Sequence, residues 1–164
     1  MANLAIAISQ SGRRVVAVDC DFRRPTLNNL FKVPNEVGMV HLLRGEAQVI
    51  DAMANTDYPN LFVITTGNPL PGNPAELLTS PPVVQVLEEL LRNADVVLID
   101  APALGPVTDA AVIAPLVDAA VLVVGRGRVK EEEVQLAYHR LNQVKAKNVG
   151  IIVNRAERTA SYAP

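Results

Sequence analysis

Short aliphatic runs alternate along this chain with segments whose apolar residues recur at helical spacing. The aliphatic runs are too short for typical helices and end in polar or glycine-containing segments, which is typical of buried parallel strands. They predict five strands: about Val15–Val18, Leu61–Gly67, a strand ending at Asp100, Ala119–Gly125 and Val149–Asn154.

The segments between these strands predict helices. The N-terminal segment carries apolar residues up to a glycine, Gly12, as at the end of a helix. A charged amphipathic helix is predicted from about Lys130 to Val144. Shorter helices are predicted after Pro25, on both sides of Gly45, at AELL, and over about Val83–Arg92.

Strands that alternate with helices indicate a parallel sheet with right-handed crossover connections. The predicted fold class is therefore α/β: a single three-layer α/β/α domain with a mostly parallel sheet. Hydrophobic residues make up 49% of the 164 residues and aromatic residues only 4%, so small aliphatic side chains must fill the core. We predict one domain over residues 1–157, followed by a disordered tail at 158–164.

Three aspartates follow the ends of two predicted strands. Asp19 and Asp21 come after the first aliphatic run, and Asp100 ends the run VVLID. The carboxyl ends of the strands in an open α/β sheet are where ligands bind, so these side chains are expected to meet at one edge. Carboxylates at such an edge suit Mg²⁺, which takes oxygen ligands and usually also contacts phosphates. Arg23 and Arg24 follow directly and can pair with phosphate or carboxylate.

Composition excludes several classes of protein. The net charge of −2 gives no support for a basic nucleic-acid surface. The single cysteine, Cys20, excludes an internal disulfide and a cysteine-rich zinc site, and we expect it to be a buried thiol. No apolar run approaches the length of a membrane span and no secretory signal is evident, so the expected location is cytoplasmic.

The chain resembles the cytoplasmic catalytic domain of bacterial tyrosine kinases that regulate capsule and exopolysaccharide synthesis and export, members of the P-loop NTPase superfamily with ParA and MinD. The resemblance covers nearly the whole chain. It is carried, in order, by VVAVDCDFRRPTLNNLF, GMVHLLRGE, TTGNPLPGNPAELLTS, DVVLIDAP and GIIVNR. ParA-like and MinD-like relatives share the aspartates but not usually the middle segment.

The resemblance implies ATP and Mg²⁺ as cofactors and a role for each matching residue. Asp19 would orient or deprotonate the acceptor tyrosine, and Asp21 would assist at the metal. Asp100 would hold Mg²⁺, and Asn154 with Arg155 would contact the adenine. Tyr162 is a candidate phosphoacceptor. The implied partners are a membrane-anchored polysaccharide copolymerase or adaptor subunit, which would recruit the domain to the inner face of the plasma membrane, and further copies of the chain.

Each of these residues also has a structural interpretation. Asp19 could cap the turn that follows it, and Asp100 could be a turn residue before Pro102. Asn154 could simply end its strand. Arg23 and Arg24 could lie in a subunit interface or in pairs on a helix surface. His41 and His139 are expected at the surface or the core boundary, without a ligand role.

The phosphate-binding motif G-x-x-x-x-G-K-[ST] does not occur in these residues. The resemblance places the family's first strand and this loop immediately before Ala2, so we expect the first strand to be missing beside the strand of Asp100. Unpaired backbone groups would result there. Without the loop's amides and lysine, ATP affinity and kinase activity are expected to be weak.

Three functions remain open at this point. A tyrosine kinase domain agrees best with the motifs. A ParA/MinD-like ATPase would use the same aspartates to activate water. A non-catalytic interaction module would keep the sheet and bind an adaptor or a sister subunit without turnover.

Overall fold

The computed structural model describes residues 1–104 and 109–155. They form two compact units, residues 1–103 and the residues from 104 onward. The single domain over 1–157 stays a prediction, and the tail at 158–164 lies outside the described residues.

The first unit is built on a four-stranded sheet. Its strands are β1 (Val15–Asp19), β2 (Ala54–Asn55), β3 (Leu61–Ile64) and β4 (Val96–Asp100), in the order β2-β3-β1-β4. β1 runs parallel to both of its neighbours, β3 and β4, and only the short β2 is antiparallel. The predicted mostly parallel sheet is confirmed.

One helix precedes β1 and five connect the strands, all close to their predicted positions. They are α1 (Ala2–Gln10), α2 (Leu27–Phe31), α3 (Met39–Arg44), α4 (Val49–Ala52), α5 (Pro74–Leu78) and α6 (Pro82–Asn93). Prolines stand at the start of α5 and α6, where the missing N–H costs no helical bond. None of the described helices is long and apolar enough to cross a membrane.

The core of this unit lies around β1, whose five residues are all buried. Burial of the whole strand means that side chains are covered on both faces of the sheet. One cluster combines residues of α1, α2, β1 and β3: Ala5, Val15, Ala17, Leu27, Phe31, Leu61 and Val63. Small aliphatic side chains dominate it, as the low aromatic content predicts.

β4 differs from β1 because it is an edge strand. Every residue of β4 is partly exposed, and within the described residues no strand pairs with its outer side. This agrees with the expectation of unpaired backbone beside the strand of Asp100.

The second unit contains a separate two-stranded sheet. Strands β5 (Ala120–Gly125) and β6 (Val149–Asn154) pair in parallel, connected through α8 (Glu131–Gln143). The short helix α7 (Asp109–Ile113) and a 3₁₀ turn (Ala114–Leu116) precede β5. The hydrogen bonds of the described residues divide the strands between two sheets, one in each unit.

Two boundaries differ from the predictions. Strand β3 ends at Ile64, whereas the prediction extended it to Gly67. It ends there because the carbonyls of Thr65 and Thr66 accept the amides of Met39 and Val40 at the start of α3. The strand β2 was not predicted, since two residues are too few to show any alternation.

Candidate functional site

Asp19 and Asp100 lie side by side at the carboxyl edge of the first sheet. They are partners in the parallel register of β1 and β4. The amide of Cys20 donates to the carbonyl of Asp100 at 2.8 Å, which extends the pairing by one residue. Neighbouring strands are about 4.8 Å apart, so the two carboxylates leave the sheet from adjacent positions. The predicted convergence of these two aspartates is confirmed.

Asp19 is almost completely buried, with 1% of its surface exposed. Its Oδ2 accepts the amides of Thr26 at 2.9 Å and Leu27 at 3.0 Å, and its Oδ1 accepts the amide of Asp21 at 3.1 Å. Asp19 therefore caps the turn that follows it, as its structural interpretation expected. Its Oδ1 can accept one more hydrogen bond.

Asp21 is partly exposed and shapes the next turn. Its Oδ1 accepts the amides of Arg23 at 3.1 Å and Arg24 at 3.0 Å, an Asx-type arrangement. Among the described residues, the hydrogen bonds to this carboxylate all fall on Oδ1, and Oδ2 accepts none.

Burial raises the pKa of the Asp19 and Asp100 carboxyl groups above the ordinary value near 3.8. The three amides that Asp19 accepts oppose this rise at Asp19, where the charge of Asp21 adds to it. The charges of Asp19 and Asp21 raise the pKa of Asp100 further. Burial also raises the pKa of the Cys20 thiol, and the charges of Asp19 and Asp100 add to this effect. Cys20 is thus a buried, unreactive thiol, as expected from the sequence.

The oxygens at this edge suit a magnesium ion that is shared with phosphates. Within the described residues, no group of three or more His, Cys, Asp or Glu side chains forms a metal cage. Mg²⁺ seldom needs such a cage, because it keeps several waters and uses one or two carboxylates together with substrate phosphates. Asp100, which accepts no described hydrogen bond through its carboxylate, and Oδ2 of Asp21 provide such oxygens.

A polar cluster that the sequence did not predict follows β3 at the same edge. Thr65 and Thr66 are buried, and Asn35 Oδ1 accepts the amide of Gly67 at 3.0 Å. Gly38 lies so close that an added Cβ would overlap the Thr65 carbonyl oxygen and the Gly67 nitrogen. The polar TTG after an aliphatic run was the available signal.

His41 belongs to this cluster. Its ring is partly buried, and its Nδ1 accepts the amide of Gly38 at 3.3 Å. This position at the core boundary, with a capping role, agrees with the sequence expectation.

The remaining predicted site residues lie in the second unit or outside the described chain. Asn154 and Arg155 stand at the exposed end of β6, where Asn154 Oδ1 accepts the amide of Arg155 at 2.8 Å. The structural interpretation of Asn154 as a strand-ending residue agrees with this contact. Tyr162 lies outside the described residues.

Comparison with known proteins identifies the family. The family described as "AAA domain" matches residues 1–152. The tyrosine-protein kinase CpsD of Streptococcus agalactiae is 33% identical over 162 residues, which are 98% of this chain and 70% of CpsD. The chain belongs to the bacterial tyrosine-kinase family. The resemblance in the motifs is therefore confirmed.

A solved member of this kinase family has the same fold. The kinase domain of Escherichia coli tyrosine kinase Etk superimposes with a TM-score of 0.89 at 35% identity, covering 98% of this chain and 63% of that domain. The chain spans 22% of the length of full Etk. The fold also matches MinD of Pyrococcus horikoshii, solved with Mg-ADP, with a TM-score of 0.75 at 24% identity over 99% of this chain and 66% of MinD.

The raised carboxyl pKa values predict a stability that depends on pH. A carboxyl group whose pKa is higher in the folded state binds more protons there than in the unfolded chain. The free energy of unfolding should therefore fall as pH rises from about 4, the unfolded value, through the folded-state pKa. In Asp100→Asn the free energy of unfolding should fall less steeply with pH, because the Asp100 carboxyl group no longer contributes. The test is urea unfolding of both metal-free proteins across the acidic range; parallel curves would contradict the prediction.

Proposed function

We propose that this chain is the phosphoryl-transfer domain of a protein-tyrosine kinase that moves the γ-phosphate of ATP to tyrosine and regulates capsule or exopolysaccharide synthesis and export. The observation that carries the proposal is the pairing of Asp19 with Asp100 at one sheet edge in a member of the tyrosine-kinase family. Phosphoryl transfer needs positioning and charge neutralisation more than covalent help, and three carboxylates at one edge can supply both.

The aspartates take separate roles in this proposal. Asp100 and Oδ2 of Asp21 would hold Mg²⁺, which when bound neutralises charge on the nucleotide phosphates. Oδ1 of Asp19, which accepts one amide, would accept the hydrogen of the acceptor tyrosine hydroxyl. The raised pKa of the Asp19 carboxyl group favours proton acceptance, because a stronger conjugate base takes a proton more readily.

Other parts of the proposal rest on the family resemblance. Asn154 and Arg155 would contact the adenine, and Tyr162 would be a phosphoacceptor. A membrane-anchored polysaccharide copolymerase or adaptor would recruit the cytoplasmic domain to the inner face of the membrane, and copies of the chain would associate.

The 164-residue chain alone is expected to transfer phosphate slowly. The reason is that these residues contain no G-x-x-x-x-G-K-[ST] motif to bind the phosphates. Incubation with γ-labelled ATP and Mg²⁺ should give a weak phosphotyrosine signal, and Asp21→Asn should remove it. Brisk, magnesium-dependent autophosphorylation would contradict the expected weakness.

The likeness to MinD favours an ATPase as the second candidate. The same assay separates the two functions, since an ATPase releases inorganic phosphate without labelling tyrosine. Isothermal titration with ADP and Mg²⁺ separates both from an interaction module: no detectable heat, together with no phosphate transfer or release, would support a module without turnover.

A further inference from the structure

The loop after β1 is held by a carboxylate rather than by the backbone alone. Residues 20–26 connect β1 to α2 and carry Asp21. Asp19 bridges both ends of this loop, because it accepts the amide of Asp21 near the start and the amides of Thr26 and Leu27 at the end. Leu27 is the first residue of α2, so one side chain fixes the loop and the helix together.

Two features make this arrangement strong. The bonds run from backbone N–H groups to a carboxylate, and bonds to a charged acceptor are stronger than bonds to a neutral one. The acceptor, Asp19, is buried, and of the three bonds the one from Leu27 is buried and the other two are partly buried. Where water is excluded, the low dielectric constant strengthens such bonds and makes an unpaired amide costly.

A second, smaller turn is nested inside the first. Asp21 accepts the amides of Arg23 and Arg24 through Oδ1, so that its Oδ2 is the oxygen that remains for a cation. The amide of Asp21 is itself bound to Asp19. The direction in which Asp21 presents Oδ2 thus depends on the bond that its own backbone makes to Asp19.

We propose that Asp19 is a positioning residue for Asp21: its carboxylate holds the loop of residues 20–26, and through it the orientation of the Asp21 carboxylate. That the Asp21 carboxylate binds Mg²⁺ rests on the proposed function. This role is distinct from contact with the acceptor tyrosine, because it uses the three amide bonds of Asp19 and needs no substrate.

The first test measures amide hydrogen exchange and amide proton chemical shifts without nucleotide or metal. In the wild type, the amides of Thr26 and Leu27 should be protected and shifted downfield. In Asp19→Asn a single neutral oxygen replaces two charged ones, so these amides should exchange about tenfold faster or more. The shifts of the Arg23 and Arg24 amides should change as well, because Asp21 moves. Unprotected Thr26 and Leu27 amides in the wild type would overturn the proposal.

Asp21→Asn is the matched control. Asparagine forms Asx turns as well as aspartate does, so the loop should stay ordered and the Thr26 and Leu27 amides should stay protected. If the Thr26 and Leu27 amides exchange as fast in Asp21→Asn as in Asp19→Asn, the loop does not depend on Asp19 in the proposed way, and the proposal is wrong. Asp19→Glu, which keeps the charge but displaces the oxygens, gives the same test should Asp19→Asn fail to fold.

A second test uses Mn²⁺ titration with ADP on both single variants and the double variant. If Asp19 acts through Asp21, the double variant should bind about as tightly as the single variant with the lower affinity. The two losses of affinity would then not add. Additive losses would show that Asp19 acts independently and would overturn the proposal. Absence of Mn²⁺–ADP binding by the wild type would instead count against the proposed function, while the amide measurement still decides the role of Asp19.

Discussion

Asp100→Asn is expected to weaken Mg²⁺–ADP binding while leaving the fold as stable as the wild type or more so. Removal of a residue that supports a metal ligand lowers metal affinity by roughly 10–100-fold, and loss of the Asp100 carboxylate should lower the affinity at least as much. The fold should gain stability at neutral pH, because burial and the charge of Asp19 disfavour an ionised Asp100. Isothermal titration and urea unfolding of the same samples give the two quantities.

Asp95→Asn provides the control for this substitution. Asp95 directly precedes β4 at the opposite end from Asp100, and its Oδ2 accepts the amide of Arg14 at 2.8 Å. An asparagine oxygen can accept the same bond, so neither stability nor nucleotide binding should change much. Equal losses of binding in the two variants, or an unchanged affinity in Asp100→Asn, would rule out Asp100 as a metal ligand.

Gly38→Ala is expected to destabilise the protein by about 3 kcal/mol, the upper end of the cost of forcing extra atoms into a packed region. The added Cβ would overlap backbone atoms of Thr65 and Gly67, which cannot move as the end of a flexible side chain can. For a chain of this size, the loss corresponds to a Tm decrease of roughly 6–12 °C. Thermal unfolding followed by circular dichroism measures it.

Gly72→Ala and Gly45→Ala separate this steric effect from the loss of a glycine as such. An added Cβ meets no atom within 4 Å at either position. Gly45 has a φ of +71°, so its replacement should cost about 1 kcal/mol through backbone strain, whereas Gly72→Ala should be within roughly 0.5 kcal/mol of the wild type. A Tm for Gly38→Ala close to that of Gly72→Ala would show that the Gly38 contact relaxes easily.

The strands and the acidic edge followed from the sequence because both depend on local pattern. Each aliphatic run that predicted a strand became one, and the register of β1 with β4 brings Asp19 beside Asp100 as expected. The helices over Val83–Arg92 and Lys130–Val144 were predicted to within one residue of α6 and α8. The shorter helices were correctly located, but their ends were not, since too few residues define the helical period.

The contacts within the polar cluster that follows β3 could not be predicted, although the TTG segment itself is visible in the sequence. Gly67 is far along the chain from Asn35 and Gly38, and their contacts arise only when the start of α3 reaches the end of β3. No local preference encodes an approach between two backbone segments, so nothing in the sequence pattern singled out Gly38.

The sequence by itself determined the class of fold, the small aliphatic core and the presence of three carboxylates where β1 and β4 end, because hydrophobic period and strand direction are properties of neighbouring residues. Only the tertiary structure decided how those carboxylates are used. Burial raises the carboxyl pKa values of Asp19 and Asp100, and the folded loop directs the Asp19 carboxylate onto three amides, whereas Oδ2 of Asp21 accepts no described hydrogen bond. Solvent exclusion depends on atoms that folding brings from distant positions, and the direction of these local hydrogen bonds depends on the conformation of the loop, which the pattern of residues does not specify.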